Sequence, residues 1–99
     1  MKRALSTGSD SRDYYMPSTS KAYNMPTTPT TVKGIGKITF INSSSSSIYL
    51  YITDIDGNPH DPSTQKLYLY YGASITLEFS KSITFYGSEN TGNFIVQFN

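Results

Sequence analysis

Between Gly72 and Asn99 apolar and polar residues alternate in three successive runs. Ile75, Leu77 and Phe79 form the first, Ile83 and Phe85 the second, and Phe94, Val96 and Phe98 the third. Thr76, Glu78, Ser80, Thr84 and Gln97 stand between them. A period of two with one apolar face is the pattern of a half-buried antiparallel strand, because successive side chains point to opposite faces. Ser80-Lys81-Ser82 and the segment Gly87 to Asn93 are short and rich in turn formers, so this stretch is expected to close the chain as a β-meander.

Upstream the same period recurs. Val32 to Asn42 reads as a strand with Ile38 and Phe40 inward. The serines at 43–47 read as a polar loop. Ile48, Leu50 and Ile52 then share one face while Tyr49, Tyr51 and Thr53 take the other. After the turn signal Asp56-Gly57, Gln65 to Tyr71 alternates again, with Leu67, Leu69 and Tyr71 expected inward. About six strands at roughly ten-residue spacing, with no helical period, predict an all-β fold, a small antiparallel β-sandwich or barrel of jelly-roll or immunoglobulin-like kind. Leu50, Leu69, Leu77, Phe85 and Val96 are its expected core.

Residues 1–31 break this pattern. Pro17, Pro26 and Pro29 lie in a Ser/Thr-rich background without sustained periodicity, a composition that cannot bury enough apolar surface to offset its ordering entropy. The segment reads as an extended N-terminal arm, and residues 32–99 as the sandwich domain. Leu5, Tyr14, Tyr15, Met16, Tyr23 and Met25 are spaced along the arm. Such side chains are costly to leave in water, so they are expected to be buried on neighbouring subunits.

Composition narrows the chemistry. In 99 residues there is no cysteine and a single histidine, which excludes disulfides and thiolate chemistry. No apolar run is long enough to span a bilayer as a helix, and the N-terminus lacks the apolar region of a signal peptide; synthesis in a cytoplasm is expected. Residues 1–33 carry five basic and two acidic side chains, and residues 34–99 carry three and five. The basic excess is too dilute for a nucleic-acid-binding tail.

The remaining motifs are weak. Gly34-Ile35-Gly36 is a lone G-x-G followed by a strand where a phosphate loop needs a helix; a bulge or close backbone contact is the ordinary reading. Asp54, Asp56 and Asn58 have the spacing of the first calcium-loop ligands, but Pro59 stands where glycine is required and Gln65 where a bidentate glutamate belongs. His60 has neither a second histidine nor a cysteine to share a transition metal. Glu78 and Glu89 fall on a strand and in a turn, with nothing to bring them together as a hydrolytic pair. No enzyme, cofactor or metal site is expected.

Tyr49, Tyr51, Tyr68, Tyr70 and Tyr86 fall opposite the aliphatic face. Tyrosine joins a flat apolar body to a polar tip, which suits a partner protein or a sugar ring. It also forms strands well and pairs across them. Tyr49, Tyr51, Tyr68 and Tyr70 are the candidate partner-binding residues of the domain.

The arm at 1–31, the strand Val32-Lys33-Gly34-Ile35-Gly36-Lys37-Ile38-Thr39-Phe40 and the turn-then-strand Gly72-Ala73-Ser74-Ile75-Thr76-Leu77 together resemble small virion structural proteins of tailed bacteriophages: decoration, cement, or neck-and-tail accessory subunits. The resemblance implies a multi-copy, non-catalytic subunit, made in the host cytoplasm and located in the virion. Its partners would be other capsid or neck and tail proteins and copies of itself, with no nucleic acid or membrane. The alternative is a carbohydrate- or host-surface-binding sandwich that uses its tyrosine face on a glycan.

Overall fold

Two antiparallel sheets face each other across one hydrophobic core in the computed structural model. It describes the backbone of residues 4–7, 12–15, 22–64 and 66–99, and the side chains of the last two ranges. The strands are β1 (Ala4–Thr7), β2 (Arg12–Tyr15), β3 (Ala22–Asn24), β4 (Thr30–Lys33), β5 (Gly36–Ile41), β6 (Ile48–Ile55), β7 (Asn58–Pro59), β8 (Lys66–Leu69), β9 (Ser74–Phe79), β10 (Ser82–Gly87) and β11 (Asn93–Phe98). The larger sheet runs β2-β1-β4-β10-β6-β7, with β8 also paired to β6; the smaller runs β3-β11-β5-β9. The all-β sandwich expected from the alternation is the fold observed.

Its core is the aliphatic face of each strand. Ile38 and Phe40 of β5, Ile48, Leu50 and Ile52 of β6, Leu69 of β8, Ile83 and Phe85 of β10, and Phe94 and Val96 of β11 are all buried. Phe85 sits at the centre, edge-on to Phe40 at 4.9 Å and to Phe94 at 5.0 Å, the offset geometry that aromatic quadrupoles favour. Burying each such ring contributes roughly 1.5–3 kcal/mol.

Five expectations change. The long first strand divides at Gly34-Ile35, where the chain passes from the larger sheet to the smaller. Gly34 has φ 144°, and a Cβ there would press on the Phe98 ring at 2.8 Å. A Cβ on Gly36 would collide with the β11 backbone at Gln97 and Phe98. The two glycines thus serve a corner that only a side-chain-free backbone can make.

The C-terminal stretch is not a meander. β9 pairs with β5, β10 with β4 and β6, and β11 with β5 and β3, so successive strands alternate between sheets. Alternation fixes which face of a strand is buried; it does not fix which sheet the strand joins. Each short connection is an arch over the core instead of a hairpin.

Leu77 is half-buried, because its strand β9 is an edge strand with β5 on one side only. Tyr71 is 66% exposed, not inward. β8 ends at Leu69, and the chain then turns through Gly72 at φ 77°, with the Ala73 N–H donated to the Tyr70 carbonyl at 3.0 Å.

The packing also begins before residue 32. β3 pairs with β11, Met25 is 1% exposed within the core, and β4 starts at Thr30. β1 pairs with β4, Leu5 opposite Val32, and β2 with β1, Tyr14 opposite Leu5. The segment beyond the expected boundary therefore adds strands to both sheets.

The serine loop is held by Asn42, which is fully buried. Its Nδ2 donates to the carbonyls of Ser46 at 2.8 Å and Leu69 at 2.9 Å, and its Oδ1 accepts from the N–H and hydroxyl of Ser44. Its backbone closes the set: the Asn42 N–H donates to Ala73, and its carbonyl accepts from Gly72. A buried amide with its donors and acceptors matched in this way fixes one loop geometry.

Candidate functional site

The outward face of the larger sheet carries a continuous row of tyrosines. Alternation puts Tyr49 and Tyr51 of β6 outward, and the registers Tyr49 opposite Tyr68 and Tyr51 opposite Tyr86 bring in β8 and β10. Directly opposed residues of antiparallel strands share a face and lie close enough for their rings to touch. From one end, Tyr70 meets Tyr68 at 4.7 Å edge-on, Tyr68 meets Tyr49 at 5.1 Å, Tyr49 meets Tyr51 at 6.3 Å, and Tyr51 stacks on Tyr86 at 4.8 Å.

Exposure rises along the row. Tyr51 and Tyr86 are half-buried, Tyr49 is 37% exposed, Tyr68 49% and Tyr70 62%. One end is thus a packed layer and the other an open patch. Lys66 places its ammonium 4.7 Å from the centre of the Tyr49 ring, a cation–π contact that puts a positive charge beside the patch. Alternation puts Lys66 on the same face as Tyr68 and Tyr70, and the Tyr49–Tyr68 register is what sets it over the Tyr49 ring; the outward turn of Tyr71 is not signalled by alternation.

The arm residues separate. Met25 is buried in its own core and is no contact for a neighbour. Its N–H donates to the Gly92 carbonyl at 2.8 Å, and its side chain rests against Gly87. Tyr23 is half-buried and stacks on Phe94 at 5.4 Å, spending its ring on its own sheet. For Met25 the cause is space that Gly87 and Gly92 leave beside β11 and that its side chain fills; for Tyr23 it is the register of β3, which sets it directly opposite Phe94. Leu5, Tyr14 and Tyr15 lie on β1 and β2, where only the backbone is described, and Met16 lies outside the described residues.

The acidic loop is engaged internally. Asp56, at φ 56°, turns its carboxylate toward the β9–β10 arch, where Oδ1 accepts the N–H groups of Ser80, Lys81 and Ser82 and Oδ2 the Ser80 hydroxyl, at 2.7–3.2 Å. These donors, the Ser80 hydroxyl foremost, lower its pKa to about 2. Asp54 accepts the Gly57 N–H at 2.9 Å, and Asp61 accepts the N–H and hydroxyl of Ser63, which lower its pKa too. Among the described residues no three His, Cys, Asp or Glu side chains come together as a metal-binding group.

His60 lies beside an apolar cleft of about 260 Å³ with Ile52, Ile55, Lys66, Leu67 and Leu77. A second hollow, of about 360 Å³, lies by Lys37, Asp56 and Glu78. Glu89 is on the exposed β10–β11 connection and lines neither.

No protein-family model, curated protein or solved structure matches this chain.

Proposed function

We propose that the protein is a non-enzymatic structural subunit that docks on a partner protein through the open end of its tyrosine row, Tyr49, Tyr68 and Tyr70. The setting suggested by the architectural resemblance is a bacteriophage particle, where the partners would be capsid or neck and tail proteins.

One observation carries the choice of a protein partner. The rings pack on one another, Tyr51 on Tyr86 at 22° between planes and Tyr70 edge-on to Tyr68 at 78°. At the open end the rings stand at steep angles to one another, Tyr49 to Tyr68 at 49° and Tyr68 to Tyr70 at 78°, and form an uneven aromatic surface with no flat platform. A flat platform suits a sugar ring, whereas a protein interface fits an uneven aromatic surface with polar tips around an apolar centre. The arm supports this reading less than its composition promised, since Tyr23 and Met25 are used inside the fold.

The test is to add purified protein to particles lacking it and measure bound copies per particle. Wild type should bind to saturation, and Tyr68→Ser/Tyr70→Ser should not, while both keep the same circular dichroism and melting. Equal binding by the double variant rejects the tyrosine row. Saturable binding on a glycan array, lost in the same variant, would favour the carbohydrate-binding alternative.

A further inference from the structure

The edges of the two sheets are unequal. β3 has three residues and is followed by Pro26, β7 has two and includes Pro59, and β8 has four and includes Lys66. Short strands, proline and lysine are the usual means of keeping an edge from pairing with another chain. β9 has none of them. Ser74–Phe79 is six residues long, without proline, glycine or lysine, and pairs with β5 in uninterrupted register. Among the described residues no strand pairs with its other side. In an antiparallel pair every second residue turns its N–H and C=O away from the neighbour, so β9 presents a row of backbone donors and acceptors there.

The same side of the sandwich is open. The cleft of about 260 Å³ lies between β9 and the β6–β8 edge of the larger sheet, and Leu67, Leu77 and Ile55 in its wall are half-buried. A strand added to β9 would run along the mouth of this cleft.

We propose that the occupant is β9 of a second copy, paired antiparallel about a two-fold axis to make one continuous eight-stranded sheet. The residue pattern is self-compatible. Paired residues must share a face, so the axis passes through a residue, not between two. With the axis at Thr76, Ile75 faces the other copy's Leu77 and Ser74 faces its Glu78. With the axis at Leu77, Ile75 faces Phe79 and Thr76 faces Glu78. In both registers apolar residues oppose apolar ones, and Glu78 opposes a hydroxyl, never its own copy. Thr76 about its axis would repeat the hydroxyl pairs already made within the fold, Thr39 with Thr76 at 2.9 Å and Thr31 with Thr84 at 2.8 Å. This contact is separate from the tyrosine row, which lies on the outer face of the other sheet, so either can fail without the other.

Sedimentation equilibrium of the full chain across a wide concentration range tests it. A monomer–dimer equilibrium is expected. Thr76→Lys, on the exposed face of β9, places lysines on or beside the axis and should weaken the dimer about tenfold or more. The melting of the dilute monomer serves as the control for folding. A single cysteine at Thr76, in a chain that has no other, carries a spin label; the two labels should lie within about 20 Å, given strands ~4.8 Å apart and the reach of the label arms. A monomer at every concentration overturns the proposal. So does a dimer indifferent to Thr76→Lys, or one whose labels lie far apart.

Discussion

Asp56 and Ser80 are bound twice: the carboxylate accepts the Ser80 N–H at 2.8 Å through Oδ1 and its hydroxyl at 2.8 Å through Oδ2. Asp56 opens the turn from β6 to β7 in the larger sheet, and Ser80 begins the arch that leaves the smaller one. The contact therefore ties a connection within one sheet to the crossing between both. The successive N–H groups of Ser80, Lys81 and Ser82 converge on one ionised carboxylate, which satisfies them together.

The first prediction concerns acid. The folded pKa of Asp56 is about 2, against 3.8 for the unstructured residue. A group with a depressed folded pKa stabilises the fold above the unfolded value, and that stability is lost as pH falls from 3.8 toward about 2. Asp61 is shifted in the same direction. The melting temperature should drop across that window. Asp56→Asn should melt lower than wild type at neutral pH and lose less on acidification. Parallel curves for the two proteins would show that Asp56 does not contribute to the acid response.

Calcium should have no effect. Asp56 spends both oxygens on the arch, and Asp54 accepts Gly57, so ligating an ion would cost hydrogen bonds already made. Millimolar calcium should leave the melting temperature unchanged. A rise of several degrees that disappears in Asp56→Ala would contradict this.

Core substitutions should rank by coverage. Phe85 is fully buried between Phe40 and Phe94, and Phe85→Ala should cost about 3–5 kcal/mol, enough to unfold a domain of this size. Leu77, half-exposed on the β9 edge, should lose clearly less on truncation to alanine. Urea titrations of both variants would give the order directly. A reversed order would place the centre of the core elsewhere.

The faces of the strands were legible because alternation is a local property: Ile48, Leu50 and Ile52 inward against Tyr49 and Tyr51 outward needs only the period of two. The sheet each strand joins is not local. Ser80-Lys81-Ser82 has the composition of a hairpin turn, and what accompanies its crossing between sheets is an aspartate 24 residues earlier. Met25 was illegible for a related reason. One methionine between prolines and threonines carries no period, and its niche comes from Gly87 and Gly92, far along the chain. The tyrosine row was visible as a face, but the ring-to-ring contacts along it depend on the register of three strands.

The last prediction separates two truncations. Removing residues 1–21 takes away β1 and β2, leaving Met25 and the buried residues after it in place. Removing residues 1–31 also takes β3, Met25 and Thr30, and cuts β4 to its last two residues. Met25 is held by backbone bonds as well as packing: its N–H reaches Gly92, and the next carbonyl, of Pro26, accepts from Gly87 at 2.8 Å. A buried methionine lost from a packed core costs about 2–5 kcal/mol on its own. Stability on that order is much of what a domain this small possesses. The longer truncation should therefore fail to fold cooperatively. The shorter one should keep a cooperative melt but associate more readily, since the edge of β4 that β1 had covered is open to other chains. Circular dichroism melts and light scattering of the two proteins give the comparison. If the 1–31 deletion melts like the full chain, β3 and Met25 are not parts of the core. If the 1–21 deletion unfolds, β1 and β2 contribute far more than an added edge.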